Sequence, residues 1–170
     1  MKRTLITVIA AMATFVFLTP KTDAFDKWGN LNPEEARVIV QLLDDVYKFW
    51  IVFDTRDHVE SMGRIPSATV SKEVFAEMEK KGWHSGRIIT ATATFFNPEN
   101  RPKDDFEKEA VEALKGGAGL FDRVEVVEGK KVFRAATPVP MVMKECQTCH
   151  VTAKEGELMG ALVYTIPLAK

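Results

Sequence analysis

The residues with the clearest chemistry are two cysteines and a histidine near the C-terminal end. Cys146 and Cys149 are the only cysteines among 170 residues, and His150 follows directly. A Cys-x-x-Cys disulfide would close too small a loop to stabilise the fold. A redox dithiol of the thioredoxin type needs a βαβ setting, which the surrounding pattern does not predict. Structural zinc needs four ligands, and His58 and His84, the other histidines, lie at no zinc-finger spacing.

The sequence Cys-x-x-Cys-His uses all three residues as the attachment signature of a c-type haem. In such a site the two thiols form thioethers with the porphyrin vinyl groups, and the histidine binds the iron from the proximal side. We therefore predict one covalent haem c, with Cys146 and Cys149 as the attachment residues and His150 as the proximal ligand.

The motif does not fix the ligand on the other side of the iron. A histidine or methionine there would favour electron transfer, whereas an open position would admit nitric oxide or carbon monoxide. His58, at the end of a long apolar helix, is the distal candidate, and an open position is the alternative. His84 is a weaker candidate, since a helix-to-strand corner is usually exposed. Met141 and Met143 are too close to the cysteines to reach the far face, so we expect them at the porphyrin edge.

The haem propionates would need cationic partners. Arg87 and Arg134 lie on predicted strands, where either guanidinium could form a forked hydrogen bond with a carboxylate. Both could equally be ordinary surface arginines.

The first 24 residues have the pattern of a secretory signal. A basic start, Met1 to Arg3, precedes 15 apolar or small residues from Thr4 to Leu18, and a polar stretch ends on Ala24. The run is shorter than the roughly 18 residues expected of a membrane span. We predict cleavage after Ala24, a periplasmic location, and a single domain over 25–170.

Without residues 1–24, the chain has 20 basic and 23 acidic side chains and a net charge near −3. This balance argues against a nucleic-acid partner, which would require a basic face.

The apolar spacing predicts the elements that hold the motif. A long helix begins at Asn32 and is apolar on nearly all sides over 46–53, so it should be buried on more than one side and could support a dimer. Ser71 should cap a second helix that ends at Gly82. A strand over 86–96, a helix over 104–117, a hairpin over 122–137 and a strand over 157–168 follow. Their order predicts an α+β domain whose cysteine segment bulges off an antiparallel sheet.

The stretches GWHSGRIITATATFFNPENRPKDDFEKEAVEAL, VFRAATPVPMVMKECQTCH and GALVYTIPL resemble a family of exported c-type haem proteins with a PAS-like fold. That family includes free-standing periplasmic proteins and the extracytoplasmic sensor domains of histidine kinases and chemoreceptors. The resemblance runs from about Gly82 to the end, and its most specific part is the Asn-Pro-x-Asn-x-Pro loop, Asn97 to Pro102. Some members use a cysteine as the second iron ligand, but this chain has no third cysteine.

The resemblance implies a PAS-like antiparallel sheet with flanking helices and a redox or gas-sensing role. We expect a periplasmic mono-haem cytochrome that transfers electrons or senses redox state, reporting to a separate redox partner protein. The alternative is a haem sensor that binds a diatomic gas at an open or weakly held sixth position. A peroxidase is less favoured, because no residue is placed as its distal acid or base.

Overall fold

The computed structural model describes Trp28 and residues 30–63, 65–92 and 97–169. The predicted signal segment, 1–24, lies outside the described residues, as does the end of the first predicted strand, 93–96. The helices and strands, in chain order, are α1 (Pro33–Glu60), α2 (Ser67–Lys80), β1 (Ser85–Thr90), α3 (Asp105–Lys115), β2 (Phe121–Val127), β3 (Lys130–Pro140) and β4 (Leu158–Pro167), with short 3₁₀ helices at Pro98–Asn100 and Lys144–Thr148.

Helix α1 begins where the sequence predicts. The Asn32 side chain accepts a hydrogen bond from the Glu35 amide, and the Glu35 carboxylate accepts one from the Asn32 amide, both at 2.9 Å. This reciprocal capping, with Pro33 at the first helical position, satisfies amides that a helix start leaves unpaired. The prediction of a long helix starting at Asn32 is confirmed.

Helix α2 begins five residues earlier than predicted. Its N-cap is Pro66, which offers no side-chain hydrogen bond, and Ser71 lies inside the helix. The Ser71 hydroxyl donates to the Ser67 carbonyl at 2.8 Å, bonding back along the helix and capping nothing. Ser71 as N-cap was therefore wrong, because serine has two local bonding modes that a sequence does not distinguish.

The four strands form one antiparallel sheet in the order β1-β4-β3-β2. The predicted hairpin is β2–β3, and its turn residues Glu128 and Gly129 both have positive φ, 50° and 75°. A two-residue hairpin turn of this kind requires positive φ at both central positions, which glycine adopts at little cost. The predicted α+β fold, including its antiparallel sheet, is confirmed.

The sheet buries both of its faces. On one face, β3 and β4 present Phe133, Ala135, Leu162 and Tyr164 to α1 and α2. On the other face, Ala136, Ala161 and Val163 pack against α3, which contributes Phe106, Ala110, Val111 and Leu114. The alternation of side chains along each strand thus separates a face with two helices from a face with one helix. None of the helices within the described residues is long and apolar enough to cross a membrane.

Asp44 attaches α1 to the sheet. Its Oδ1 accepts hydrogen bonds from the Tyr164 hydroxyl, at 3.0 Å, and from the Thr137 hydroxyl. Its Oδ2 forms an ion pair with Lys48 at 2.7 Å. Burial, reinforced by the Asp44 charge, raises the pKa of Tyr164, so this hydroxyl stays protonated and can donate. One carboxylate therefore joins α1 to both central strands.

Replacing Asp44 by alanine should destabilise the fold. Tyr164 is fully buried, so its hydroxyl would lose a charged acceptor that no water replaces, at a cost of about 2–3 kcal/mol. Urea unfolding of Asp44→Ala and of a Gln41→Ala control, exposed on the same helix, measures the difference. Equal unfolding midpoints for the two variants would contradict this role for Asp44.

Candidate functional site

The cysteine segment, Met141–Glu157, leaves the sheet between β3 and β4, as predicted. Two backbone hydrogen bonds close its neck, from the Met141 amide to the Glu157 carbonyl at 2.9 Å and from the Gly156 amide to the Met141 carbonyl at 2.8 Å. Met141 itself is almost fully buried. The segment is therefore anchored at the end of the sheet where β3 finishes and β4 begins.

Within the segment, the two cysteines and the histidine share one turn. Cys146 lies in the 3₁₀ helix and Cys149 is its C-cap. The Cys146 carbonyl accepts from the amides of Cys149, at 3.3 Å, and His150, at 2.9 Å. Both thiols are free, with Cys149 exposed and Cys146 half-buried. One turn thus holds two free thiols and one imidazole, which fits the donor set of a c-type haem.

His150 is half-buried beside the two cysteines. Burial lowers the pKa of His150, so its neutral form is favoured at neutral pH. Only the neutral imidazole has a lone pair available for a metal. The local environment of His150 is therefore compatible with ligation of an iron.

Helix α1 runs along β3 toward this segment. The Arg37 guanidinium lies over the Phe133 ring, 5.4 Å from its centroid, and farther along the helix Asp44 meets Thr137. The residues after Asp44 continue in the same direction, toward Pro140, where β3 ends. Helix α1 also contacts the 3₁₀ helix of the cysteine segment. Its last turns, after Ile51, therefore extend past the end of β3 at which the cysteine segment begins.

His58 lies on this overhanging part of α1. It follows Tyr47, Ile51 and Asp54 at helical spacing, on the side of the helix that faces the core. The Gly63 amide donates to the His58 carbonyl at 2.8 Å. A Cβ at Gly63 would lie 2.8 Å from His58 Nδ1, so the absent side chain leaves room for the half-buried ring.

Asp54 was missed by the sequence analysis. Its Oδ2 is buried and has no hydrogen-bond partner among the described residues. A buried carboxylate oxygen normally accepts a hydrogen bond, so Asp54 Oδ2 is an acceptor that could still take a donor. Its helical spacing from Tyr47 and His58 could have identified it, since an acid on the core-facing side of a helix is unusual.

A family model described as Tll0287-like: Tll0287 matches residues 32–167, from the N-cap of α1 to the end of β4. The chain belongs to the Tll0287-like family. The similarity thus extends beyond the region from Gly82 onward that carried the resemblance. A solved structure described as the crystal structure of the cyanobacterial heme-protein Tll0287 is similar in fold, with 14% identity and a TM-score of 0.55, covering 81% of this chain and 97% of that chain. No curated protein matches the chain.

In this Tll0287-like chain, Arg87 holds the Asn-Pro-x-Asn-x-Pro loop. Its Nη2 donates to the carbonyls of Glu99, at 3.0 Å, and Arg101, at 2.8 Å. The Asn97 side chain fixes the start of the same loop by accepting from the Glu99 amide at 2.9 Å. Arg87 also pairs with the buried Glu107 at 3.1 Å, on the sheet face that carries α3.

Arg134 belongs to the same charged cluster. Its guanidinium pairs with Asp104 at 2.9 Å and with Glu125 at 3.1 Å, and it lies over the Phe106 ring. A propionate would have to compete with these acidic partners for either arginine, on the sheet face opposite α1. Pairing of Arg87 and Arg134 with haem propionates stays a prediction.

His84 is buried, with 3% of its surface exposed, so the exposed corner that we expected is wrong. It packs under α1 through a 3.0 Å contact between its Nε2 and the Tyr47 hydroxyl. The strand register places Ser85 opposite Thr165, whereas the cysteine segment joins β4 at Leu158. Those seven residues of strand span roughly 23 Å. His84 therefore lies at the end of the sheet away from the cysteines.

Burial lowers the pKa of His84 to about 4. Because the unfolded chain binds a proton near pH 6.5 and the folded chain does not, this residue should make folding less favourable as pH falls from 6.5 toward 4. The full loss is roughly 3 kcal/mol. In His84→Gln, which retains a polar group but cannot titrate, this part of the pH dependence should disappear. Urea unfolding of both proteins at pH 7.5 and pH 4.5 measures it, and parallel losses would contradict the prediction.

Proposed function

We propose that this protein is an exported c-type haem protein with one haem, attached through Cys146 and Cys149 and ligated by His150. The observation that carries the proposal is that one turn holds both free thiols and a half-buried neutral imidazole, in a chain of the Tll0287-like family. A solved protein of similar fold is described as a heme-protein, which agrees with this assignment.

When bound, the haem supplies an iron centre that can exchange one electron. We propose that the chain uses this centre for electron transfer or redox sensing in the periplasm. The support is His58, which is half-buried on the core-facing side of α1, in the turns that extend past the end of β3. A second histidine ligand would close the sixth position and leave the haem to electron exchange. An open position would favour the gas-sensing alternative.

Asp54 has a place in the same proposal. It precedes His58 by one helical turn, and its buried Oδ2 lacks a donor among the described residues. Histidines that bind a metal usually donate their other ring N–H to a carboxylate or carbonyl, which fixes the ring orientation. Asp54 Oδ2 and the His58 ring form no hydrogen bond in this structure, and we assign Asp54 as the acceptor to which the His58 ring would turn when it binds the iron. We also assign residues 1–24 as the export signal that precedes the haem domain.

Removing the attachment residues should abolish covalent haem. The proteins to compare are wild type, Cys146→Ala/Cys149→Ala, and Thr148→Ala as a control in the same turn, each produced by export with c-type haem maturation. Acid-acetone extraction should leave haem on the wild type and on the control but not on the double variant. Intact mass should also give a mature chain that begins at Phe25. A wild type without covalent haem would refute the assignment.

Removing the proposed sixth ligand should change the iron spin state. His58→Ala should convert a low-spin visible spectrum to a high-spin one and allow carbon monoxide to bind the ferrous protein. Asp57→Ala, an exposed neighbour, is the control and should behave as wild type. A wild-type ferrous protein that already binds carbon monoxide fully would instead support the gas-binding alternative, and an unchanged spectrum in His58→Ala would exclude His58.

A further inference from the structure

The outer side of α1 is apolar and uncovered. Five large apolar residues on it are each at least half exposed: Val38, Leu42, Val46, Phe49 and Phe53. We call this set the outer stripe. It lies opposite the buried residues Ala36, Val40 and Tyr47 on the helix circumference. The sequence predicts burial of α1 on more than one side, and within one chain only the core-facing side is buried.

We propose that the outer stripe binds the outer stripe of a second copy of this chain, with the two α1 helices antiparallel. Two-fold symmetry about a point between residues 45 and 46 brings Val38 against Phe53 and Leu42 against Phe49. Val46 then meets its own copy next to the axis. Each of the two outer layers thus pairs a smaller side chain with phenylalanine, and the central layer pairs two valines. One face of the helix is complementary to itself, which a symmetric dimer requires.

The charges that flank the stripe favour the antiparallel arrangement. Glu35 continues the stripe at its N-terminal end and Arg56 continues it at the other end, and both are exposed. The same two-fold axis brings Glu35 of one copy against Arg56 of the other, twice per dimer. A parallel dimer would set Glu35 against Glu35 and Arg56 against Arg56, and like charges would repel.

The stripe residues repeat at intervals of four, four, three and four, so they stay on one side of a straight helix for about four turns. Contact over that length requires two helices that cross at a shallow angle, near 20°, about 8–10 Å apart. Asp45 lies at the edge of the stripe beside the axis, where its two copies would repel each other. Asp45→Asn should therefore tighten the dimer.

Cysteine cross-linking of the haem-loaded protein tests the arrangement. Under mild oxidation, Val46→Cys should cross-link to itself, because its two copies meet near the axis. Val38→Cys alone should not cross-link, but a mixture of Val38→Cys and Phe53→Cys proteins should yield the mixed dimer. Wild type treated in the same way reveals any link through Cys146 or Cys149. Self-linked Val38→Cys would mean a parallel dimer and would overturn the proposal.

Sedimentation equilibrium of the same haem-loaded proteins tests the affinity. Leu42→Glu should raise the dissociation constant at least tenfold, whereas Val126→Glu, an exposed valine on β2, should leave it unchanged. Arg56→Glu should weaken the dimer, whereas Arg56→Lys, which keeps the positive charge, should weaken it much less. A wild type that stays monomeric at 100 µM, with or without residues 1–24, would overturn the proposal. Attachment of the haem does not depend on the dimer, so this result would leave the proposed function intact.

The other occupants of the stripe give different results. If the N-terminal segment covers it, the chain that retains residues 1–24 is monomeric and the chain from Phe25 dimerises through a face that this segment normally occupies. If the haem covers it, Phe49→Glu and Phe53→Glu change the visible spectrum while the wild type stays monomeric. Either result would overturn the dimer as the native state of this surface.

Discussion

The position of α1 on the sheet depends on the Asp44 carboxylate, which accepts from a residue on β3 and another on β4. A helix that rests on apolar side chains alone could slide by a turn at small cost, whereas a buried hydroxyl must keep its acceptor. Asp44 therefore sets the register of α1 along β3. That register determines which residues lie over the core and which extend past the end of the sheet. That register also places Tyr47 against Tyr164 and His84.

The two faces of the sheet are held by different kinds of contact. On the α3 face, buried Glu107 lies between Arg87 and Arg134, and these arginines also hold the Asn97 loop and the hairpin. Removing one partner from the buried pair of Glu107 and Arg134 would leave an uncompensated charge, so these contacts stabilise this face. The face with two helices carries Tyr164, with Tyr47 and His84 packed near it. It also carries α1, whose last turns extend past the end of β3. The proposed haem site thus lies at the end of the sheet where β3 finishes, and ion pairs stabilise the face of the sheet that carries α3.

Local signals made most of the fold predictable from the sequence. The capping residues of α1, the glycine turn of the hairpin and the alternating strands each depend on neighbouring positions. The start of α2 was not predictable, because Pro66 caps it without a side-chain bond. The burial of His84 depends on Tyr47, distant in sequence, and its distance from the cysteines depends on strand register. For the site, the motif predicts Cys146, Cys149 and His150. The burial of Asp54 depends on how α1 packs on the sheet, which the sequence does not specify.

Helix α1 joins the two surfaces proposed for this protein. Its inner side carries His58, the proposed iron ligand, and its outer side carries the stripe proposed to bind a second copy. Since an α-helix transmits a displacement along its length with little bending, movement of the inner side at His58 also moves the outer stripe. A change in ligation of the iron would therefore alter the contact between two copies. This helix would couple a redox change at the iron to a structural change at a protein surface.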